Sequence, residues 1–140
     1  MPQASFRTGL CAEDATRDPA MRSQRHADPL MHGRVTASWF CEMTDACQQA
    51  AAQASAVSRP LLILQAGDYR MVDSEAARQF FHRVASRDKT FRLYESHYHE
   101  LLREIDREAI VEEMLDWLEG RTADEGAPAA APVAGAAPSC

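Results

Sequence analysis

At 140 residues the chain has the length of one domain, and its 46% hydrophobic and 26% charged content is that of an ordinary globular fold. Its formal net charge of -6 argues against a nucleic-acid partner, which needs clustered Lys and Arg to meet phosphate. No run approaches the roughly 18 apolar residues of a membrane span, and Met1 to Glu13 lacks the apolar stretch of a signal peptide, so a cytoplasmic chain with no transmembrane segment is expected.

Residues 1–18 show no period and read as loop. Asp18-Pro19 has the form of a helix start, with Asp as N-cap and Pro at the first helical position, and the helix should end near Ala27. Asp28-Pro29 repeats the signal, but Leu30-Met31-His32-Gly33 reads as an irregular connection. From Thr36, the next N-cap, Phe40, Met43, Cys47, Ala50, Ala51 and Ala54 recur at helical spacing and predict a long helix running to about Val57, where Ser58-Arg59-Pro60 breaks it. Cys47 lies two turns beyond Phe40 on that face and is expected in the core.

Leu61-Leu62-Ile63-Leu64 has no polar alternation. It predicts a strand over Leu61 to Ala66 covered on both faces, the habit of a parallel sheet flanked by helices. The strand stops at Gly67, and the loop beyond carries Asp68 and Asp73 where α/β folds place their chemistry, outside the carboxyl ends of strands. Asp73 is expected to cap a helix whose apolar face is Ala76, Ala77, Phe80, Phe81, Val84 and Ala85. After a turn at Ser86–Lys89, Thr90 to Glu95 alternates Phe91 and Leu93 against Arg92 and Tyr94 and reads as a second strand, completing a βαβ unit with a right-handed crossover. A second loop, His97-Tyr98-His99-Glu100, follows. Asp106 is expected to cap a final helix with Ile110, Val111, Met114, Leu115 and Leu118 on one face and Trp117 beside it, ended by Gly120. Gly126 to Cys140 holds seven Ala, three Pro and two Gly without charge or aromatic ring, and is expected to be a disordered tail.

Residues 100–125 hold ten carboxylates against three Arg, read as a solvated helix face. Cys11, Cys41, Cys47 and Cys140 show no CxxC pair, and His97-x-His99-Glu100 has no evident third ligand, so no metal, cofactor or disulfide framework is expected. Only two strands are visible, although the first has the composition of a strand flanked on both sides. A sheet that small is marginal in water, so another chain or residues upstream of Met1 are expected to complete it.

Four blocks, in order, carry a family resemblance: Thr16-Arg17-Asp18-Pro19; Asp28-Pro29-Leu30-Met31-His32-Gly33-Arg34-Val35-Thr36; Pro60 to Asp73; and Tyr94-Glu95-Ser96-His97-Tyr98-His99-Glu100. Together they resemble the carboxyl-terminal part of an α/β hydrolase of the monoacylglycerol lipase, lysophospholipase and serine aminopeptidase type. The resemblance implies an α/β fold in which residues 1–35 are the remnant of the cap region and a linker, 36–120 the carboxyl-terminal part of the hydrolase domain (long helix, strand, helix, strand, final helix), and 121–140 an Ala/Pro-rich tail. It implies His99 as the catalytic histidine, which takes the serine proton and returns it to the leaving alcohol, while His97 is structural.

The acid is out of register. Read back from Arg70-Met71-Val72, the family Asp falls on Tyr69, with Asp68 one residue early, so Asp68 serves as catalytic acid only if the loop rearranges. Asp73 matches a family Asp but reads as the helix cap. No G-x-S-x-G nucleophile motif occurs around any of the nine serines. The expected function is therefore ester hydrolysis of a small lipid or ester substrate through an acyl-serine, realised only when an amino-terminal half completes the site. The alternative is a non-catalytic interaction module that takes a second copy or a partner chain at its open sheet edge.

Overall fold

The computed structural model describes residues 4–9, 11–68 and 74–122. The expectations placed on Tyr69, on Asp73 as helix cap, and on the Ala/Pro-rich tail lie outside these residues.

At the amino-terminal end, Ser5–Arg7 (β1) and Arg34–Thr36 (β2) pair antiparallel, Phe6 opposite Val35. Neither strand was expected, because three residues are too few to show alternation. Between them run a 3-10 turn at Ala12–Asp14 and the helix Pro19–Ala27 (α1), whose start is the one expected: the Asp18 carboxylate accepts from the N–H groups of Ala20 and Met21. The long helix Ala37–Ala52 (α2) is capped by Thr36, whose hydroxyl accepts from Trp39 N–H, but it stops five residues before Val57 and gives way to a 3-10 turn at Ala54–Ala56.

The face predicted for α2 forms but is not buried. Trp39 and Phe40 are each 50% exposed and Cys47 is exposed, which corrects its expected place in the core. Helical spacing specifies an apolar face, not what covers it. The recorded ring contact there is edge-on between Phe40 and Phe6 of β1, 6.2 Å between centroids.

Leu61–Ala66 (β3) and Lys89–Tyr94 (β4) form the expected parallel pair, Leu61 opposite Lys89 through Ala66 opposite Tyr94, joined by the helix Ser74–Arg83 (α3). Lys89 ends α3 chemically: its ammonium donates to the carbonyls of Phe81 (2.8 Å) and Val84 (2.7 Å), satisfying acceptors the helix leaves open. The alternation along β4 sorts its neighbours. Phe91 packs against Phe81 of α3, 5.5 Å between rings, whereas Thr90, Arg92 and Tyr94 face the last helix, Arg107–Thr122 (α4), through Trp117 and Glu113. Among the described residues β3 and β4 pair only with each other, and of β3 only Ala66 is buried. The both-faces burial expected of β3 is not met, because a two-stranded sheet offers too little surface to cover it.

The last helix departs from its expected pattern in three ways. It continues through Gly120 to Thr122, where Arg121 pairs with Asp88 (2.5 Å) and stacks on Trp117. Its apolar residues split into two stripes: Ile110 is buried, while Val111, Leu115 and Leu118 are 40–49% exposed. The Asp106 carboxylate, expected as a cap, is directed at His97 and Arg17.

Glu113 ties α4 to β4. It accepts from Tyr94 Oη at 2.6 Å and Arg92 Nε at 2.5 Å, which holds its carboxyl below the usual range. Burial, then the hydrogen bond and charge of Glu113, push the Tyr94 hydroxyl up to about 12. The protonated phenol is the form the fold favours, so this contact stabilises fully below the ordinary value near 10 and is lost as pH rises through about 12. In an ultraviolet titration the Tyr94 ionisation should come late, well above pH 10; a tyrosine absorbance change complete near pH 10 would contradict the contact.

Candidate functional site

The parallel pairing of β3 and β4 sends both following loops to one edge of the sheet, and Gly67 lets them approach. A Cβ at Gly67 would sit 2.5 Å from Glu95 Cα and 2.7 Å from Glu95 O, so only a residue without a side chain fits. The ladder then extends past the strands: Gly67 N–H donates to Tyr94 O at 2.8 Å and Asp68 N–H to His97 O at 3.2 Å. Asp68 is thus bonded through its backbone to the loop that carries His97 and His99, with its side chain exposed.

The two histidines have different surroundings. His97 is 8% exposed, its ring 5.2 Å from that of Tyr94 and its Nε2 2.9 Å and 3.0 Å from the Asp106 oxygens. Burial alone would raise the Asp106 carboxyl, but hydrogen bonds from backbone and His97, with the charges of His97 and Arg17, outweigh it and hold the group below the usual range. An ionised carboxylate only accepts, so Nε2 carries the proton toward it. Nδ1 is left buried with no hydrogen-bond partner among the described residues. This is a histidine used to hold the loop.

His99 instead lines a cavity of about 810 Å³. Its apolar wall comes from Phe6 of β1, Val35 of β2, Met31 before it, and Trp39, Phe40 and Met43 of α2; Arg7, Arg25, His26 and His32 supply the polar part. The exposed face of α2 is therefore one wall of a cleft. Glu13, also on the cleft, is held below the usual carboxylate range first by a backbone hydrogen bond and then by His26, 3.2 Å away. An imidazole beside an apolar space of this size can exchange a proton with a bound molecule whose apolar part sits out of water.

Several residues around His99 were not legible as a site. Glu104, in the stretch read as a solvated face, is 0% exposed, a correction of that reading, and it gathers N–H groups of Arg17 and Tyr98. Arg25 pairs with Glu100. The Thr16–Pro19 block marked the right segment, but a pairing 87 residues apart leaves no local sequence signal. Among the described residues no three His, Cys, Asp or Glu side chains gather as a metal site, and no helix is long and apolar enough to cross a membrane.

Comparison with known proteins adds three findings. The serine aminopeptidase, S33, family matches residues 1–106. Phospholipase YtpA of Bacillus subtilis (strain 168) is 32% identical over 110 residues, covering 78% of this chain and 42% of that protein, and a monoacylglycerol lipase of Mycolicibacterium smegmatis is 27% identical over 110 residues, covering 78% and 39%. The crystal structure of the Paleococcus ferrophilus monoacylglycerol lipase superposes with a TM-score of 0.71 at 25% identity, covering 86% of this chain and 47% of that one. The chain spans less than half the length of each of these proteins.

Proposed function

Because the chain belongs to the serine aminopeptidase, S33, family of α/β hydrolases, we propose that it carries the histidine side of a serine ester hydrolase acting on acylglycerols or lysophospholipids. The observation that carries this reading is the place of His99, on a loop at the carboxyl end of a parallel strand, facing an apolar cleft. In this reading His99 takes the proton of a serine hydroxyl as that oxygen attacks the ester carbonyl, then hands it to the leaving alcohol; water hydrolyses the acyl-serine by the same route reversed. Asp68 orients the imidazole. The acyl chain lies against Phe40, Met43 and Trp39. The names of the relatives, a phospholipase and a monoacylglycerol lipase, support this substrate class.

The serine is the part these 140 residues do not offer in its G-x-S-x-G setting. The purified chain is therefore expected to take no fluorophosphonate label and to hydrolyse p-nitrophenyl esters no faster than buffer. Supplied with the part of Phospholipase YtpA that it does not match, it should hydrolyse them. Serine labelling of the chain alone would overturn the division of the site.

A second reading is favoured by a different observation: the apolar residues Val111, Leu115 and Leu118 of α4 are exposed, and among the described residues no further strand pairs with the β3–β4 sheet. It makes the chain a non-catalytic module that docks a partner or a second copy there. Size-exclusion chromatography and amide exchange separate the two. A monomer whose β3 and β4 amides exchange slowly argues against any completing partner.

A further inference from the structure

Both chain neighbours of His99 are tied to one distant segment, Glu100 directly and Tyr98 through Glu104, and we propose that this clamp, with Glu104 and Arg17 as positioning residues, fixes the backbone from which the His99 side chain projects. The inference rests on the reading of His99 as the proton-transferring base. On one flank, the fully buried Glu104 carboxylate accepts from Tyr98 N–H at 2.8 Å. The same carboxylate accepts from Arg17 Nε at 2.9 Å and from Arg17 N–H at 3.3 Å to each oxygen. On the other flank, Glu100 N–H donates to Ala15 O at 2.7 Å, and the Glu100 carboxylate pairs with Arg25. The segment Ala15–Arg25 thus holds residue 100 directly and residue 98 through Glu104.

The segment is itself braced. Thr16 Oγ1 donates to Arg103 O at 2.7 Å, Arg22 Nε donates to Thr16 O at 2.6 Å, and Arg107 reaches Asp18 at 3.2 Å. With the N–H groups of residues 98 and 100 both held, the backbone on either side of His99 loses most of its freedom to move. Catalytic geometry tolerates little error, a misplacement of about 1 Å being worth roughly 10²-fold in rate. A buried ion pair is a poor way to gain stability, since apolar residues of equal volume often do as well. What Glu104 supplies that an apolar residue cannot is an acceptor for the backbone N–H groups of Tyr98 and Arg17.

The test isolates that acceptor in the 140-residue chain. The double variants R17M/E104Q and R17M/E104L both remove the ion pair at similar volume, but only Gln can still accept from Tyr98 N–H. R17M/E104Q is expected to keep the His99 ring resonances and the Tyr98 amide exchange of the parent chain. R17M/E104L leaves the N–H groups of residues 17 and 98 without an acceptor and should lower the unfolding midpoint. Under conditions where both variants are folded it should exchange Tyr98 about tenfold faster than R17M/E104Q and shift the His99 resonances away from those of the parent chain. Identical His99 resonances and Tyr98 exchange in the two variants overturn the clamp. If R17M/E104L does not fold, amide exchange of the parent chain decides: the N–H groups of Tyr98 and Glu100 should be protected to the degree of the β3–β4 ladder, and unprotected exchange of either overturns the proposal. These readouts need no catalysis. An active hybrid that survives His99→Ala would therefore reject the base assignment and leave the clamp standing.

Discussion

Gly67→Ala is expected to destabilise the chain by about 3 kcal/mol, the upper part of the range for forcing an added methyl into filled space. The added Cβ would meet the Cα, O and C of Glu95 at 2.5, 2.7 and 2.9 Å. All three are backbone atoms, so no side chain can swing away to make room. The φ of Gly67 is not in the left-handed region, so the requirement is for space and not for an unusual torsion. Relief means separating the two loops, with loss of the bonds Gly67 N–H to Tyr94 O and Asp68 N–H to His97 O. Urea unfolding measures the effect. Gly120→Ala is the control: nothing lies within 4 Å of a Cβ there and the residue is inside α4, so this substitution should stabilise by about 1 kcal/mol. A loss below about 1 kcal/mol for Gly67→Ala would contradict the close approach of the loops.

His99→Ala carries the other large effect. In the hybrid completed with the unmatched part of Phospholipase YtpA, it is expected to lower kcat for ester hydrolysis by on the order of 10⁴-fold or more, because serine attack and leaving-group protonation both lose their proton carrier. Asp68→Asn should fall less, its loss being roughly 10²-fold smaller than that of His99→Ala, since an orienting carboxylate acts through the histidine and not on the substrate. The two should also be non-additive, the double variant being little worse than His99→Ala. Steady-state kinetics with a p-nitrophenyl ester decides between the assignments. If Asp68→Asn keeps activity within about tenfold, Asp68 is not the acid that serves His99, and the family register that falls on Tyr69 marks a chain without one.

The pairing of β3 with β4 was readable because one unbroken apolar run and one alternating run flank a helical repeat ending at turn residues, and that pattern has few other solutions. The starts of α1 and α2 were readable because capping is decided by one side chain and the two or three N–H groups after it, as Asp18 and Thr36 show. The β1–β2 hairpin was not readable. Its three-residue strands gain their partners from 29 residues away, Phe6 meeting Val35 at the wall of the cleft. Cys47 and the exposed stripe of α4 failed for a related reason: periodicity reports that a face is apolar but says nothing of its cover.

At the site, the sequence by itself placed Asp68 and His99 on the loops that follow two successive strands, since loop position is a local property of the chain, while the family resemblance told His99 from His97. The tertiary structure alone decided what surrounds them. It set Glu104, drawn from a charged stretch, at full burial between Arg17 and Tyr98, turned Asp106 from helix cap to partner of His97, and opened the cleft beside His99 between β1, β2 and α2. Carboxylates look alike in sequence. Which of them is buried depends on N–H and guanidinium groups delivered from the other end of the chain, and only folding brings those together.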